Sequence, residues 1–165
     1  MNKILYTPRI QPDETLYSYI ARCHFLWGGA NHRQTSVNFF GRLGVCLNQC
    51  LPTEVSNISK HADYPADYLV NKHTFLPLFD AMSAGSSILK QAMLGSDGKV
   101  LANASGVSQL RKAELTHSKF CPVCFDADVE KIGVGYWHLM HQFFGVKSCY
   151  CHGCKLIEIN INPRL

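Results

Sequence analysis

The sequence predicts a mainly α-helical protein that ends in a small metal-binding module with short β-strands. Apolar residues recur at spacings of three and four through the first part, which indicates amphipathic helices. Gly, Pro and Asn residues separate those helices at short intervals, as turns require. The last part instead carries cysteines and histidines at the spacing of metal ligands. We therefore predict a helix-turn-helix-like helical domain over residues 1–94, a linker over 95–115 and a zinc-finger domain of the ribbon or knuckle type over 116–165.

The composition is that of an ordinary globular protein with a modest positive charge. Hydrophobic residues make up 47% of the chain and charged residues 17%, and the net charge is +4 with the histidines neutral. No apolar run is long enough to span a membrane, and the N-terminus lacks the apolar core of a signal peptide. We expect a cytoplasmic protein with reduced thiols, in which Cys23, Cys46 and Cys50 are buried as small apolar side chains.

The first helix is predicted to follow Pro12-Asp13-Glu14, because proline and acidic residues favour the first turn of a helix. Ser18 and Arg22 are assigned to its polar side, and Gly28-Gly29 ends it. The apolar face carries residues at spacings of four, three and four, namely Leu16, Ile20, Cys23 and Trp27.

A second helix is predicted between Asn31, which suits an N-terminal cap, and Gly41, which suits the C-terminal end. The residues expected to face the first helix are Val37, Phe40 and Leu43. The candidates for contact with DNA phosphates or base edges are Arg33, Gln34, Asn38 and Arg42. A solvated helix face would carry the same residue types.

Two more short helices complete the predicted helical core. Pro52-Thr53-Glu54 begins the third and Tyr64-Pro65-Ala66-Asp67 begins the fourth, which carries Tyr68 and Leu69. The inner side of the third carries Val55, Ile58 and Ala62. Short helices joined by tight turns are typical of helix-turn-helix folds, but a generic helical bundle has the same periodicity.

The segments after the fourth helix are less regular. Pro77 predicts that residues 73–79 are extended or form a single turn. Residues 84–94 are predicted to be a helix that ends at Gly95-Ser96-Asp97-Gly98, and residues 95–109 are assigned to the linker. In the C-terminal part we expect strands over 116–120 and 145–149 and a helix over 125–132. Ile157, Ile159 and Ile161 alternate with polar residues, which predicts a further strand that ends at Pro163.

Two sets of four side chains suit a tetrahedral zinc ion. One set is Cys121, Cys124, Cys149 and His152, and the other is Cys121, Cys124, Cys151 and Cys154. Spacing alone does not choose between them. The ion is expected to be structural, because the motifs of catalytic zinc sites are missing. Phe120 stands where a deaminase has proline and no H-x-E occurs, and His138 and His141 lack the Glu of H-E-x-x-H.

Three stretches of the chain carry longer motifs. The first is DETLYSYIAR at 13–22, and the second is HTFLPLF at 73–79. The third comprises FCPVC at 120–124, GYWH at 135–138, HQ at 141–142, GV at 145–146, and Cys149 with His152-Gly153. In this order they resemble the motifs of the TniQ/TnsD family of transposon target-selection proteins, over nearly the whole chain.

The resemblance implies a ligand set, a fold and a function. It favours Cys149 and His152 as the second ligand pair, because the family has C-x-x-H-G there, and it implies a helix-turn-helix domain. Family members are not enzymes. They select the insertion site, by reading DNA or by docking on a CRISPR effector complex, and they recruit the AAA+ ATPase TnsC, which activates the transposase. The expected partners are therefore DNA, a TnsC-type ATPase and, in one version, a CRISPR effector, with a second copy of the chain as a further candidate.

Members that resemble TnsD continue past the zinc part with further DNA-reading regions, whereas this sequence ends at Leu165. We therefore expect an adaptor role or a sequence that is part of a longer protein. The resemblance also implies a bacterial, DNA-associated location. Two alternatives stay open. A stand-alone, sequence-specific DNA-binding regulator would use the helical part and the positive charge. A zinc-dependent nuclease would use His138 or His141 as a base.

Overall fold

The structure is a computed structural model, and it describes residues 6–28, 31–45, 47, 49–82, 86–96, 98–105 and 117–160. These residues form eight α-helices, one short 3-10 helix and one two-stranded sheet, which confirms the prediction of a mainly α-helical protein with short β-strands. The helix-turn-helix arrangement stays a prediction. None of the described helices is both long and apolar enough to span a membrane. The helices are α1 (Leu16–Leu26), α2 (His32–Phe40), α3 (Val55–Ala62), α4 (Ala66–Lys72), α5 (Leu76–Met82), α6 (Ser86–Leu94), α7 (Gly98–Ser105) and α8 (Pro122–Ile132), with the 3-10 helix at Met140–Gln142.

Helix α1 begins two residues after the predicted start signal. The Thr15 hydroxyl caps it by accepting a hydrogen bond from the Ser18 N–H at 3.1 Å. Its apolar face is buried as predicted, with Leu16, Ile20 and Cys23 at most 1% exposed. Burying a side chain of this size contributes about 1.5–3 kcal/mol, so this face anchors the helical core.

Ser18 and Arg22 lie on the side of α1 opposite its apolar face, as predicted, but this side is buried as well. Ser18 is 2% exposed and Arg22 is 6% exposed. Arg22 is buried because its guanidinium forms an ion pair with Glu14, and the Ser18 hydroxyl accepts the N–H of Trp137. Both partners lie outside α1, where helical periodicity carries no information about them.

Helix α2 has the predicted caps. Asn31 accepts a hydrogen bond from the Arg33 N–H at 2.9 Å, and Gly41 ends the helix with a φ of +68°. The predicted inner face is only partly right, because Phe40 is buried but Val37 and Leu43 are 43% and 52% exposed.

Phe39 determines which face of α2 is buried. Its ring stacks on Trp27 at 5.3 Å and meets the edge of Tyr19 at 6.5 Å. Because the Phe39 ring occupies the contact with α1, the Val37 side chain faces outward. Leu43 lies beyond the end of α2, so helical periodicity does not place it. The buried residues of α2 are Thr35, Ser36, Phe39 and Phe40.

Helices α3 and α4 lie where the sequence predicts, and residues 76–82 add a helix that it does not. Val55, Ile58 and Ala62 are buried, as is Leu69 of α4. The prediction of an extended segment or a single turn over 73–79 is only partly right, because a short helix of about two turns begins at Leu76. Pro77 lies in the first turn of α5, where a backbone N–H has no partner within the helix, so proline does not interrupt it.

The beginning of the predicted linker is also helical. Helix α7 covers Gly98–Ser105, and its Leu101 is 6% exposed in the same apolar cluster as α1 to α6. Small residues do not prevent a helix when one large apolar side chain is buried by its neighbours. Ala84, Asp97 and residues 106–116 lie outside the described residues, and the domain boundaries stay predictions.

The C-terminal part contains the sheet. Strand β1 (His117–Phe120) pairs antiparallel with β2 (Ile157–Asn160), and Ser118 lies opposite Ile159. Helix α8 begins at Pro122, three residues earlier than predicted. The expected strand over 145–149 is wrong, because only Ser148 forms a bridge, with Lys155. Gly145 has a φ of +77°, which turns the chain away from the sheet.

Two apolar clusters are buried. The larger contains side chains from α1 to α7 and also Leu139 from the C-terminal part. The smaller is formed by Cys121, Cys149 and Leu156. Cys23 and Cys50 are buried in the larger cluster as predicted, and burial raises the pKa of each thiol to about 12, so both stay protonated. Cys46 lies outside the described residues.

Candidate metal centre

Four side chains near the end of the chain lie close enough to hold one metal ion. The ligand atoms of Cys121, Cys124, Cys149 and His152 are all within 4.8 Å of one another. Cys121 and Cys149 are buried, Cys124 is half-buried and His152 is exposed. The structure therefore brings together the ligand set that the family resemblance implies.

The first ligand pair is held by the start of α8. Cys121 is the N-terminal cap of the helix, and its sulfur accepts the Cys124 N–H at 3.4 Å. Pro122 fits the first turn because its fixed φ suits a helix and it needs no N–H partner. This turn directs both sulfurs to the same side.

The second ligand pair lies in a tight turn. The Gly153 N–H donates to the Cys149 carbonyl and the Cys149 N–H donates to the Cys154 carbonyl, both at 2.8 Å. Gly153 has a φ of +65°, a conformation that glycine adopts without steric cost. The turn places His152 Nδ1 at 3.5 Å from Cys149 Sγ.

The distances fit a tetrahedral zinc ion. Zinc binds sulfur at about 2.3 Å and histidine nitrogen at about 2.0–2.1 Å, so a regular tetrahedron has S···S edges of roughly 3.8 Å and S···N edges of roughly 3.5 Å. Here Cys124 Sγ lies 3.7 Å from Cys149 Sγ, and His152 Nδ1 lies 3.3–3.5 Å from the three sulfurs. Burial and the neighbouring Cys149 and Cys121 sulfurs raise the pKa of Cys124. A bound cation would stabilise the charged thiolates, which burial and the neighbouring sulfurs otherwise disfavour.

The two remaining cysteines of this region differ in position. Cys154 Sγ lies 3.2 Å from Cys121 Sγ, beside the cluster. Cys151 is exposed and is not among the clustered ligands. The all-thiolate set that contains Cys151 is therefore not assembled in this structure.

His138 lies between two carboxylates from different parts of the chain. Its Nε2 is 2.9 Å from an Asp128 oxygen, and its Nδ1 is 3.4 Å from an Asp13 oxygen. Burial favours the neutral ring, but hydrogen bonds and charge from Asp13 and Asp128 outweigh it and raise the pKa of His138. The neighbouring His141 is 1% exposed, and burial together with His138 lowers its pKa.

The segment from Tyr136 to Met140 docks on the turn that precedes α1. The Thr15 N–H donates to the Trp137 carbonyl at 3.0 Å, and the Leu139 N–H donates to the Asp13 carbonyl at 2.5 Å. These bonds form an antiparallel bridge between Glu14 and His138. The metal-binding part is thus attached directly to the helical part by backbone pairing.

Glu14 is where the three motif-bearing stretches meet. Its side chain accepts two hydrogen bonds from Arg22, at 2.7 and 2.8 Å. Its carbonyl oxygen contacts His73 Nδ1 at 2.8 Å, and its backbone lies opposite His138. Sequence analysis does not find this convergence, because residues 14, 73 and 138 are far apart in the chain. Asp128 also carries no signal, since it is one of several acidic residues of α8.

The predicted DNA-contacting residues have different surroundings. Arg33 and Gln34 are exposed, and the Gln34 amide donates to the Asn38 side chain at 2.9 Å. Arg42 lies after α2 and forms an ion pair with the buried Glu54 carboxylate at 2.6 Å. They lie on or beside the outer side of α2, away from the Cys/His cluster in sequence.

Comparison with known proteins covers both parts of the chain. The TniQ family model matches residues 5–156. The transposon Tn7 transposition protein TnsD of Escherichia coli is 22% identical over 151 residues, which cover 86% of this chain and 29% of TnsD. The chain thus spans less than a third of the length of that relative. Since the family match runs from before α1 to the end of the Cys/His turn, the chain belongs to the TniQ family.

Proposed function

We propose that this protein is a non-catalytic targeting factor in transposition, which recruits a TnsC-type AAA+ ATPase to a target DNA site. The observation that supports this most is the unbroken TniQ match over residues 5–156. It includes the helical part, the docked Tyr136–Met140 segment and the metal ligands together. The similarity to a protein named for Tn7 transposition points to the same process.

In this proposal the cluster binds one structural zinc ion. Three cysteines and one histidine complete a tetrahedral site, whereas catalytic zinc sites keep one position for water or substrate. The bound ion would hold the end of β1, the start of α8 and the turn at 149–154 together. These elements support α8, whose Asp128 contacts His138 in the docked segment.

The nuclease alternative has little support in this geometry. Both ring nitrogens of His138 face carboxylates, so neither is free to take a proton from water. His141 is buried, which keeps a nucleic acid substrate away from its ring. We propose that both histidines hold the docked segment in place.

A pull-down tests the recruitment. Tagged protein is incubated with a TnsC-type ATPase, ATP and duplex DNA, and the retained ATPase is measured. We expect wild-type protein and Cys151→Ser, an exposed cysteine outside the cluster, to retain it, and Cys121→Ser/Cys124→Ser to lose it. No retention by wild-type protein would refute the recruitment. Equal retention by the double variant would refute the role of the metal.

We also propose that α2 and the turn after it contribute a DNA contact through Arg33, Gln34, Asn38 and Arg42. Arg33 is exposed and has no ion-pair partner among the described residues, so it is available for a phosphate. Arg42 would first have to leave Glu54. In a gel-shift titration, Arg33→Ala should weaken duplex binding more than Arg42→Ala does. It should also make the slope of log K against log salt shallower by about the amount expected for one lost phosphate contact. Absence of duplex binding at low salt would refute this contact and the alternative of a stand-alone regulator.

A further inference from the structure

Strand β2 has an outer edge that no described residue pairs with. On the other side of the sheet, the Lys119 N–H and C=O of β1 bond the Gln142 side chain at 2.9 and 2.8 Å, so they point away from β2. In an antiparallel pair, the N–H and C=O groups of two directly opposed residues point either towards each other or away from each other, and the two cases alternate along the strands. Glu158 is opposite Lys119 and Asn160 is two residues further on, so the backbone groups of both point outward.

The path of the chain explains why this edge is open. Just before β2, the Leu156 N–H donates to the Lys147 carbonyl at 2.8 Å on the same outer side. The segment that contains Lys147 does not continue alongside β2, because the chain bends at Gly145. The Lys119 ammonium donates to the Val146 carbonyl at 3.0 Å in this bend. The internal pairing therefore stops where β2 begins. By contrast, the outer edge of β1 is covered by Gln142.

The side chains along the open edge combine apolar surface with positive charge. Ile157 and Ile159 are 46% and 42% exposed. Lys147 and Lys155 are exposed, and neither forms an ion pair with a described residue. They lie with Ile157 and Glu158 around a groove of about 590 Å³ at the start of the edge, where the two ammonium groups outweigh the one carboxylate. Exposed, unpaired edges of this kind are the sites where proteins add a strand from another chain.

We propose that an extended, acidic segment of a partner protein binds here as a third strand. Its backbone would pair with Glu158 and Asn160, its carboxylates would contact Lys147 and Lys155, and its apolar side chains would cover Ile157 and Ile159. Strand addition takes affinity from the backbone and selectivity from alternate side chains. A nucleic acid fits less well, since the edge presents carbonyl acceptors that phosphates cannot satisfy. This inference does not depend on the recruitment of an ATPase.

The test uses the full chain and two labelled six-residue peptides, one alternating Glu with Val and one alternating Lys with Val. In fluorescence anisotropy, we expect the Glu-Val peptide to bind at least tenfold more tightly than the Lys-Val peptide. Lys147→Gln/Lys155→Gln should reduce this preference about tenfold. Equal binding of the two peptides, or displacement of the Glu-Val peptide by a 15-nucleotide oligo(dT), would overturn the proposal.

A proline at position 158 tests the backbone pairing directly. Glu158→Pro removes an outward N–H without removing a bond to β1, and proline is tolerated at such edge positions. We expect at least tenfold weaker peptide binding, whereas Glu158→Thr, which keeps the N–H, should bind as well as wild type. Equal binding by the Pro and Thr variants would overturn the proposal. If Glu158→Pro does not fold, a Glu-Val peptide methylated at its backbone nitrogens makes the same test, and undiminished binding of that peptide would overturn it.

Discussion

Breaking the buried ion pair between Arg22 and Glu14 should strongly destabilise the junction of the two parts. The side chains of Arg22 and Glu14 are 7% and 0% exposed, and two hydrogen bonds at 2.7 and 2.8 Å join them. Arg22 also donates to the Arg9 carbonyl at 2.8 Å. Burial raises the pKa of the Glu14 carboxyl, and Arg22 opposes this shift by favouring the ionised form. Replacing one partner leaves the other charge buried without compensation.

The expected cost of Arg22→Met is about 3–5 kcal/mol, as for other broken buried pairs. For a chain of this size, each kcal/mol lowers the melting temperature by about 2–4 °C, so the variant should melt roughly 6–20 °C below wild type. The double variant Arg22→Met/Glu14→Gln should lose much less than the sum of the single variants, because it leaves no unpaired charge.

Thermal and urea unfolding followed by circular dichroism measure these values. Lys90→Met is the matched control, because the Lys90–Asp67 pair is solvent-exposed and should contribute about 0–1 kcal/mol. A loss below 1 kcal/mol for Arg22→Met, or additive losses in the double variant, would show that breaking the pair does not leave an uncompensated buried charge.

Three further changes have definite expected outcomes. Cys149→Ser should lose the bound zinc, and plasma mass spectrometry measures the metal content. The C-terminal part should then lose the folding free energy that the ion contributes, on the order of 10 kcal/mol. His138→Gln should lower the stability more at pH 6 than at pH 9 in urea titrations. The pKa of His138 is raised in the folded state, so its contribution is complete below its unfolded pKa of about 6.5 and is lost as the pH rises through the folded value. Gly41→Ala should cost about 1 kcal/mol in the same titrations, because alanine is strained at a φ of +68°.

Each of these predictions has a matched control. Cys151→Ser should keep the zinc, and zinc loss from it would contradict the ligand assignment. His61→Gln should show the opposite pH trend, since burial and the nearby Lys60 lower the pKa of His61. A pH-independent effect of His138→Gln would show that the two carboxylates do not favour the protonated ring. Gly95→Ala, where φ is not left-handed and a Cβ has room, should cost less than Gly41→Ala.

The parts of the fold that the sequence predicts well are those set by local chemistry. Asn31 and Gly41 bound α2 because capping depends on neighbouring backbone groups, and Val55 and Ile58 are buried because one helical turn places them on the same side. The Cys-x2-Cys pair is likewise local, since the first turn of α8 brings both sulfurs together.

The errors arise where distant residues decide the outcome. Arg22 is charged, and its burial becomes understandable only with Glu14 beside it. Leu101 is buried by helices that precede it, although its neighbours have the composition of a linker. His138 lies between Asp128, ten positions away, and Asp13, more than a hundred positions away, and no spacing rule indicates this arrangement.

The choice between the two ligand sets needed more than spacing. Both sets have two pairs with two residues between the ligands. The turn at Gly153 points His152 at the three sulfurs and leaves Cys151 in solvent. Cys154 stays close to Cys121, so His152 and Cys154 are the donors that an experiment must separate.

Zinc K-edge X-ray absorption on protein purified without added metal would identify the ion and its ligands. We predict one zinc per chain with three sulfur ligands at about 2.3 Å and one nitrogen at about 2.0–2.1 Å, the nitrogen signal being lost in His152→Ala and kept in Cys154→Ser. A four-sulfur spectrum in the wild-type protein, or a wild-type protein that binds no zinc, would contradict this prediction.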